Sequence, residues 1–244
     1  MSEWLAGKNP VTEALKANRP IDKLLVAKGV KPASVAPILQ LAKRRGIVVQ
    51  YVKRHKLDHV TGGVPHQGVV AMAAPRHYSD LAEVLNLAQK RGDLPLLLVL
   101  DGIEDPHNLG SIIRTADAAG VHGVIIPKRR AAGLTPTVAK TSAGAVEYVP
   151  VVRVTNLVHT LKELKQEGFW VTGAEAAGDR SYTEVDFTEP TVIVIGSEGK
   201  GISRLVRENC DYVVRLPMRG TVNSLNASVA AGIMLYEVMR QRTV

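Results

Sequence analysis

The sequence is short of cysteine and of long apolar runs, and each absence excludes a class of protein. Cys210 is the only cysteine among 244 residues, so an internal disulfide cannot form. No apolar run is long enough to cross a bilayer, so we expect no membrane partner. The first residues, MSEWLAGKNP, lack the positive start and apolar stretch of a signal peptide. We therefore expect a protein of the reducing cytoplasm.

The sequence also lacks the common nucleotide-binding and hydrolase motifs. GSEGKGIS does not have the spacing of a P-loop, because only three residues separate Gly196 from Lys200, and no loop contains GxGxxG. A kinase, a P-loop ATPase and a dinucleotide-binding Rossmann enzyme are therefore not expected. No Ser-His-Asp or Cys-His arrangement is evident. His55 and His59 are four positions apart on a basic run without a third ligand, so we expect no metal.

Positive charge is concentrated in the first third of the chain. Up to Pro75 the sequence holds 12 Lys and Arg against 4 Asp and Glu, and the remainder holds 19 against 19, so the first part carries the whole net charge of +8. This suggests a basic module that binds a polyanion; a solvated basic face is the alternative. Aromatic residues make up 4% of the chain, so we expect contacts to backbone and shape, and not base stacking, to supply most of the binding. The candidate contacts form two clusters: Lys43, Arg44 and Arg45, and Lys53, Arg54 and Lys56.

The pattern of apolar residues predicts two domains. Residues 1–75 form a small basic α/β substrate-binding domain, 76–90 a linker and connecting helix, and 91–244 a larger domain. Strands are predicted at 24–27, 47–52, 68–73, 96–100, 123–126, 170–172, 191–195 and 212–216, and helices at 10–17, 32–45, 81–90, 109–119, 136–142, 156–167, 203–208 and 225–241. KRHKLDH, at 53–59, is predicted as a turn. Nearly continuous apolar strands that alternate with helices predict an α/β fold, a parallel sheet with helices on both faces.

Three polar loops follow predicted strands of the larger domain. They lie in DGIEDPHNLGSIIRTADAAG, from residue 101, IVIGSEGKGIS, from residue 193, and PMRGTVNSLNASVAAGIMLYE, from residue 217. Because open parallel sheets bind ligands at the carboxyl ends of their strands, we expect these loops to converge on one site. The bare backbone of Gly-Ser-Glu-Gly suits an adenosine recognised through main-chain groups. A tight strand-to-helix turn is the alternative interpretation.

Arg114 is the most suggestive single residue. If Asn108 caps the following helix, Arg114 lies in the second turn and its side chain leans back toward the helix start. A helix N-terminus together with an arginine makes a good phosphate site. A surface pair between Arg114 and Asp117 is the alternative.

The last helix opens with Asn223, Ser224 and Asn226. Any of them could cap the helix, but three polar residues exceed what capping needs, and an amide can orient a hydroxyl or an adenine edge. Small residues at 227–232 would permit close packing, either against a second subunit or within the core.

These segments carry a resemblance to a known family. NLGSIIRTADAAG, IVIGSEGKGIS and LPMRGTVNSLNASVAAGIMLYE resemble, in order, the three motifs of the TrmH-like branch of the SPOUT superfamily, the RNA ribose 2′-O-methyltransferases. The match runs from about residue 96 to 241. The basic first third resembles the ribosomal protein L30e-like RNA-binding domain of the ribosomal RNA branch, through GKNPVTEAL and HQGVVA.

The resemblance implies a deep trefoil knot in the catalytic domain, bound S-adenosyl-L-methionine, and a homodimer with active sites at its interface. General topology rules would not have predicted a knot. It implies cofactor contacts from Gly196, Leu216, Pro217, Ser224 and Leu225, and catalytic surroundings formed by Asn108, Arg114, Glu198, Ser224 and Asn226. It also makes the two basic clusters RNA-binding residues.

The implied reaction is methylation of the ribose 2′-oxygen of a guanosine in 23S ribosomal RNA, as free RNA or in a large-subunit assembly intermediate. The family proposal makes Arg114 the base, but a guanidinium keeps its proton at neutral pH. We therefore favour Arg114 as a clamp on the adjacent phosphate. A tRNA guanosine methyltransferase and a non-catalytic ribosome-assembly factor are the alternatives.

Overall fold

The structure is a computed structural model that describes residues 3–221 and 224–243. In chain order the elements are β1 (Glu3–Ala6), α1 (Lys8–Lys16), β2 (Ile21–Ala27), α2 (Ala36–Arg44), β3 (Val48–Val52), α3 (Arg54–Val60), β4 (Val69–Ala73), α4 (Leu81–Arg91), β5 (Leu96–Asp101), α5 (Pro106–Ala118), β6 (Gly123–Pro127), α6 (Pro136–Thr141), β7 (Val151–Val154), α7 (Leu157–Gln166), β8 (Trp170–Ala174), β9 (Arg180–Ser181), β10 (Thr191–Gly196), α8 (Arg204–Arg207), β11 (Tyr212–Arg215) and α9 (Ala227–Arg242). Short 3₁₀ turns occur at Pro32–Ser34, Ala145–Glu147 and Tyr182–Glu184. Among the described residues, no helix is both long and apolar enough to cross a membrane.

Contacts divide the chain into two compact units. Unit 1 comprises Met1–His77 and Leu134–Tyr148, and unit 2 comprises Tyr78–Gly133 and Val149–Val244. The division differs from the sequence prediction in two places. The segment Leu134–Tyr148, expected in the larger domain, clusters with unit 1, and α4, expected as a connecting helix, belongs to unit 2.

Unit 1 is built on a four-stranded sheet in the order β1-β4-β2-β3. β2 and β3 run parallel, whereas β4 is antiparallel to both β1 and β2. Leu25, Ala27, Leu57 and Val70 form a buried cluster on one face of this sheet. Leu57 lies on α3, so the segment predicted as a basic turn is a helix. The basic residues of α3 are solvated, and one apolar side chain, Leu57, packs into the buried cluster. So short a segment has too little apolar periodicity to predict a helix from the sequence.

A buried ionic network explains why Leu134–Tyr148 belongs to unit 1. Arg19 contacts Glu3 at 2.6 Å and Glu147 at 3.1 Å, and Arg76 pairs with the same two carboxylates. Arg19 Nε also donates to the Ala74 carbonyl at 2.9 Å. All four charged side chains are at most 15% exposed. The start of the predicted linker is therefore held firmly, because buried charges are stable only when they are paired and hydrogen-bonded.

Unit 2 is built on a parallel sheet in the order β7-β6-β5-β10-β8-β11-β9. In β5 every residue from Leu96 to Leu100 is at most 3% exposed, so both faces of the strand are covered. The predicted α/β fold with a parallel sheet and helices is confirmed. β5, β10, β8 and β11 are neighbours, so their carboxyl ends lie along one edge of the sheet, as the three polar loops predicted.

Some local predictions were wrong. β1 and β7 were missed, because each has only four residues and little apolar periodicity. The cap of α5 is Asp105, whose carboxylate accepts from the His107 amide at 2.9 Å, with Pro106 at the first helical position. Asn108 therefore lies within the first turn, and Arg114 lies in the third turn rather than the second. Asn223 lies outside the described residues.

Candidate active site

Three loops meet through one hydrogen-bonded group at the carboxyl edge of the unit 2 sheet. Asn108 Nδ2 donates to Glu198 Oε1 at 2.9 Å. Asn226 Nδ2 donates to the same carboxylate oxygen at 2.5 Å and to Asn108 Oδ1 at 2.9 Å. These residues come from the segments after β5, β10 and β11, which the sequence predicted would converge. One charged acceptor thus holds two neutral amides in fixed orientations, as charge-assisted hydrogen bonds allow.

Asn226 has a second function in the same group, because it caps α9. Its Oδ1 accepts from the amides of Ser228 and Val229, at 3.0 and 3.4 Å. The Nδ2 group therefore faces Asn108 and Glu198, and the orientation of the amide is set by donors on one side and acceptors on the other. The capping and orienting interpretations of the sequence are compatible, since both sides of the amide are used.

Arg114 lies on the same helix as Asn108, six positions further along. Its side chain is exposed. The Arg114 side chain lies over the preceding turn of α5, because helical side chains lean toward the N-terminus of their helix. An exposed guanidinium at this place is accessible to an external anion and can bind it through two N–H donors.

A cavity of about 370 Å³ opens between the segments after β10 and β11, and the segment after β5 does not line it. Four of the five predicted cofactor-contacting residues line it: Gly196, Leu216, Ser224 and Leu225. The fifth, Pro217, is exposed beside them and does not line it. Of the predicted catalytic residues, Glu198 and Ser224 line the cavity. Asn108 and Asn226 do not line it, but both donate hydrogen bonds to Glu198.

The wall formed by residues 196–201 is made of backbone. Ser197 and Gly201 exchange two hydrogen bonds, of 3.1 and 2.8 Å, so this loop folds back on itself. A Cβ placed on Gly196 would lie 2.1 Å from the Gly201 carbonyl carbon, which leaves no room for any side chain. Gly201 has a φ of +65°, a conformation that favours glycine. The backbone is therefore free to approach a ligand at the cavity wall.

Sequence reasoning missed one wall of the cavity. Ala174, Glu175, Ala176 and Ala177, in the loop after β8, line it together with Met218 and Lys200. The sequence does contain a signal for this wall: the segment GAEAAGDR, which is rich in small residues, follows an apolar strand. Gly178 ends this run where a Cβ would lie 2.3 Å from the Val214 carbonyl carbon, so two backbones cross closely here.

The predicted RNA-contacting residues of unit 1 lie in two clusters, one at each end of β3. Arg45 donates to the carbonyls of Leu15 and Arg19, at 2.8 and 2.9 Å, and thereby helps to hold the end of α1. The other five are exposed. Lys43 and Arg44 precede β3, whereas Lys53, Arg54 and Lys56 follow it, and a five-residue strand separates the clusters by about 17 Å.

Comparison with known proteins identifies the class. The SpoU rRNA Methylase family matches residues 95–236, and the RNA 2′-O ribose methyltransferase substrate binding family matches residues 4–79. YacO of Bacillus subtilis, assigned to the TrmH family of tRNA/rRNA methyltransferases, is 51% identical over 240 residues, which cover 98% of this chain and 96% of YacO. The fold and the family matches are those of an RNA ribose methyltransferase. The chain belongs to the SpoU rRNA methylase family, which is the family predicted from its motifs.

Solved structures agree with this assignment. The SpoU methyltransferase AviRb from Streptomyces viridochromogenes, in complex with AdoMet, has a TM-score of 0.83 at 29% identity, over 99% of this chain and 91% of AviRb. An AdoMet-bound rRNA methyltransferase from Sinorhizobium meliloti has a TM-score of 0.78 at 27% identity, over 98% and 87%. The A. aeolicus TrmH/SpoU tRNA modifying enzyme has a TM-score of 0.57 at 33% identity, over 67% and 85%.

Proposed function

We propose that this protein transfers the methyl group of S-adenosyl-L-methionine to a ribose 2′-oxygen of a guanosine in 23S ribosomal RNA. The convergence of Asn108, Glu198 and Asn226 beside the cavity is the observation that carries the proposal, since it puts a fixed polar group next to a ligand-sized space. The site residues taken from the family resemblance are part of this proposal.

The cavity fits the cofactor in size and chemistry. Its volume of about 370 Å³ lies in the range of small-molecule sites. Alanine, glycine and leucine dominate its lining, so main-chain N–H and C=O groups are available to an adenine and a ribose. Glu175, which is paired with Arg207 at 2.8 Å, and Glu198 are the acidic residues of the lining. Gly196, Leu216, Ser224 and Leu225 would hold the cofactor largely through backbone contacts. The cofactor supplies an electrophilic methyl group on a sulfonium.

The protein's contribution is to align the ribose 2′-hydroxyl with the methyl group and to allow the hydroxyl proton to leave. The ribose 2′-oxygen would accept the methyl group that the bound cofactor supplies, and the hydroxyl proton would pass to a phosphate oxygen or water. Alignment contributes strongly to such a step because the reacting atoms must lie close and in line. Arg114 would clamp the adjacent phosphate through two N–H donors, and the oriented amides of Asn108 and Asn226 would position the ribose.

The substrate assignment rests on unit 1. The region matched by the substrate-binding family contains the whole net positive charge, as a polyanion site requires. The S. meliloti rRNA methyltransferase resembles 98% of the chain, whereas the tRNA modifying enzyme resembles 67% of it. The greater share of the chain that resembles the rRNA methyltransferase favours a ribosomal RNA substrate, in free RNA or in an assembly intermediate.

Homodimer formation is part of the proposal. Val229 and Tyr236 lie seven positions apart on α9, are 49% and 53% exposed, and form an apolar stripe suited to a second copy. The small residues predicted for this purpose serve the unit's own packing instead: Ala227 and Ala231 are buried, and Gly232 faces Thr115 of α5.

The trefoil knot, the L30e-like character of unit 1 and the cytoplasmic location also remain proposals. The close backbone crossing of Gly178 with Val214 and Arg215 supports a knotted path, since such a path requires segments to pass without side chains between them. The mixed four-stranded sheet with flanking helices supports the L30e-like assignment.

The test is methyl transfer from labelled S-adenosyl-L-methionine to unmodified 23S ribosomal RNA and, separately, to unmodified bulk tRNA, with mass-spectrometric mapping. We expect one labelled ribose in ribosomal RNA. Arg114→Ala should bind cofactor normally by calorimetry and lose about a hundredfold or more in turnover. Arg114→Lys, which keeps the charge without the two-pronged geometry, should be nearly as slow. Near-normal turnover of Arg114→Lys would refute the clamp.

Labelling of tRNA alone would refute the ribosomal substrate and establish the tRNA alternative. An absence of cofactor binding in calorimetry would refute the enzymatic proposal and restore the non-catalytic assembly factor.

A further inference from the structure

The densest positive region of the protein is free of acidic residues. From Lys23 to Leu57 the sequence contains nine Lys and Arg residues and no Asp or Glu. α2, β3 and the part of β2 from Lys23 onward lie within this segment. Its charge is therefore not neutralised by residues of the same segment, and the fold decides where that charge is presented.

One edge of the unit 1 sheet collects much of this charge. β2 and β3 are parallel, so their carboxyl ends lie together, and the Lys28 amide donates to the Val52 carbonyl at 2.8 Å. Lys28 thus lies beside the residues that follow β3, namely Lys53, Arg54 and Lys56. All four side chains are exposed. Asp58, the first acidic residue after them, contacts His66 at 2.9 Å.

Tyr51 lies next to this charged edge and is 56% exposed. Up to Pro75 the chain contains only one other aromatic residue, Trp4, which is partly buried. β3 is the edge strand of the described sheet, and Tyr51 pairs with the fully buried Val26. Lys53 continues the extended backbone with φ −68° and ψ 145°, so Tyr51 and Lys53 point to the same side, about 7 Å apart.

We propose that the carboxyl edge of β2 and β3 binds a single-stranded stretch of RNA, with one unpaired base stacked on Tyr51 and the flanking phosphates held by Lys28, Lys53, Arg54 and Lys56. An exposed ring costs little to desolvate and every base offers a face to stack on. Lysine and arginine beside the ring supply phosphate contacts, which provide most of the affinity for nucleic acid. A helical duplex has no free base face, so the ring selects unpaired RNA. The proposal rests on the RNA-binding function proposed above and narrows it to one edge.

The first experiment measures binding of the full-length protein to an unstructured RNA of about 12 nucleotides by fluorescence anisotropy across a salt series. Tyr51→Thr keeps a β-branched residue suited to a strand but removes the ring. It should weaken binding by about five- to a hundredfold with an unchanged salt slope. Tyr51→Phe keeps the ring and should bind within about twofold of wild type. Duplex RNA should not distinguish Tyr51→Thr from wild type.

A matched pair of charge variants tests the edge itself. Lys53→Ala with Arg54→Ala should reduce the slope of log affinity against log salt by about 1.4, the expectation for two phosphate contacts to a single strand. Lys43→Ala with Arg44→Ala removes the same two charges before β3 instead of after it, and should reduce the slope by less than half as much. Equal reductions by the two double variants would overturn the assignment to this edge.

The outcomes separate this inference from the broader function. If wild type binds RNA and transfers methyl groups while Tyr51→Thr binds single strands as wild type does, the stacking inference is wrong and the edge strand is free for another partner, such as a protein strand. If wild type binds cofactor but neither single-stranded nor ribosomal RNA, the proposed RNA function fails together with this inference.

Discussion

Two edges of parallel strands in this protein are adapted to opposite tasks. At the carboxyl edge of the unit 2 sheet, three loops are fixed to one another through Asn108, Glu198 and Asn226, and glycine backbone forms part of the cavity wall. At the carboxyl edge of β2 and β3, long charged side chains project into solvent. A small ligand needs a rigid surface close to its atoms, whereas a polyanion needs charge and tolerates flexible contacts.

This difference predicts how substitutions act. At the cavity, a single atom in the wrong place should abolish binding, because the backbone cannot move aside. At the basic edge, each substitution should weaken binding by a limited and roughly additive amount. The following predictions test this contrast.

The largest effect is expected for Gly196→Ala. Its Cβ would lie 2.1 to 2.3 Å from three backbone atoms of Gly201 and Ile202, so the loop must be displaced. We expect loss of detectable cofactor binding by calorimetry and a destabilisation of about 3 kcal/mol or more in urea unfolding. Gly220→Ala is the control, since an added Cβ there meets open space. Cofactor binding by Gly196→Ala at wild-type affinity would show that the cavity wall is not rigid.

The second-largest effect is expected on the free energy of unfolding, from a substitution in the ionic network of unit 1. Burial lowers the pKa of the Arg76 guanidinium, and the neighbouring Glu147 counteracts this shift. Glu147→Gln leaves two buried guanidinium groups with one carboxylate, Glu3, which should cost about 3–5 kcal/mol of unfolding free energy. Urea unfolding measures this cost. Glu208→Gln, in an exposed pair with Arg204, should cost less than about 1 kcal/mol. Equal costs for both variants would contradict the structural account of the network.

A smaller effect is expected for Glu198→Gln. The glutamine retains the shape and one acceptor oxygen for Asn108 and Asn226, but loses the negative charge that strengthens both hydrogen bonds. We expect turnover to fall about tenfold, with folding stability changed by less than about 1 kcal/mol. Steady-state kinetics and thermal unfolding provide the two readouts. Unchanged turnover would mean that the orientation of the amides does not contribute to catalysis.

The smallest effect is expected from thiol reagents, because Cys210 should react only slowly in the folded protein. Burial raises the pKa of Cys210 to about 12, so at pH 8 the thiol remains protonated in the folded state. Because the thiolate is the reactive form, alkylation by iodoacetamide should be about a thousandfold slower than in the urea-unfolded chain. Its rate should rise with pH until the pH approaches 12. Mass spectrometry of timed reactions measures this, and rapid labelling of the folded protein at pH 8 would show that the scaffold behind the cavity opens.

Much of the candidate site was predictable because it lies in contiguous motifs. The convergence of three loops follows from apolar strands that each end in polar residues, and the family motifs supplied the residue numbers. The loop at 174–177 has a weaker polar signature, since three of its four residues are alanine, and the strand order β10-β8-β11 places it beside the other cavity loops.

Other features depended on distant contacts. Arg45 has the sequence context of a solvent-exposed cation, but the carbonyl groups it satisfies belong to residues about 30 positions earlier. The attachment of Leu134–Tyr148 to unit 1 likewise depends on Glu147 meeting Arg19 and Arg76, which are far away in sequence. Such long-range pairs leave no local periodicity that a sequence pattern could reveal.

The most direct test of the central claim compares two synthetic ribosomal RNA fragments that span the mapped nucleotide. One carries ribose at that nucleotide and the other carries deoxyribose. We predict methyl transfer to the ribose fragment alone, with a product whose backbone resists alkaline cleavage at that position. Methylation of the deoxyribose fragment, or a product that remains sensitive to alkali there, would show that the methyl group goes to the base and would contradict the account.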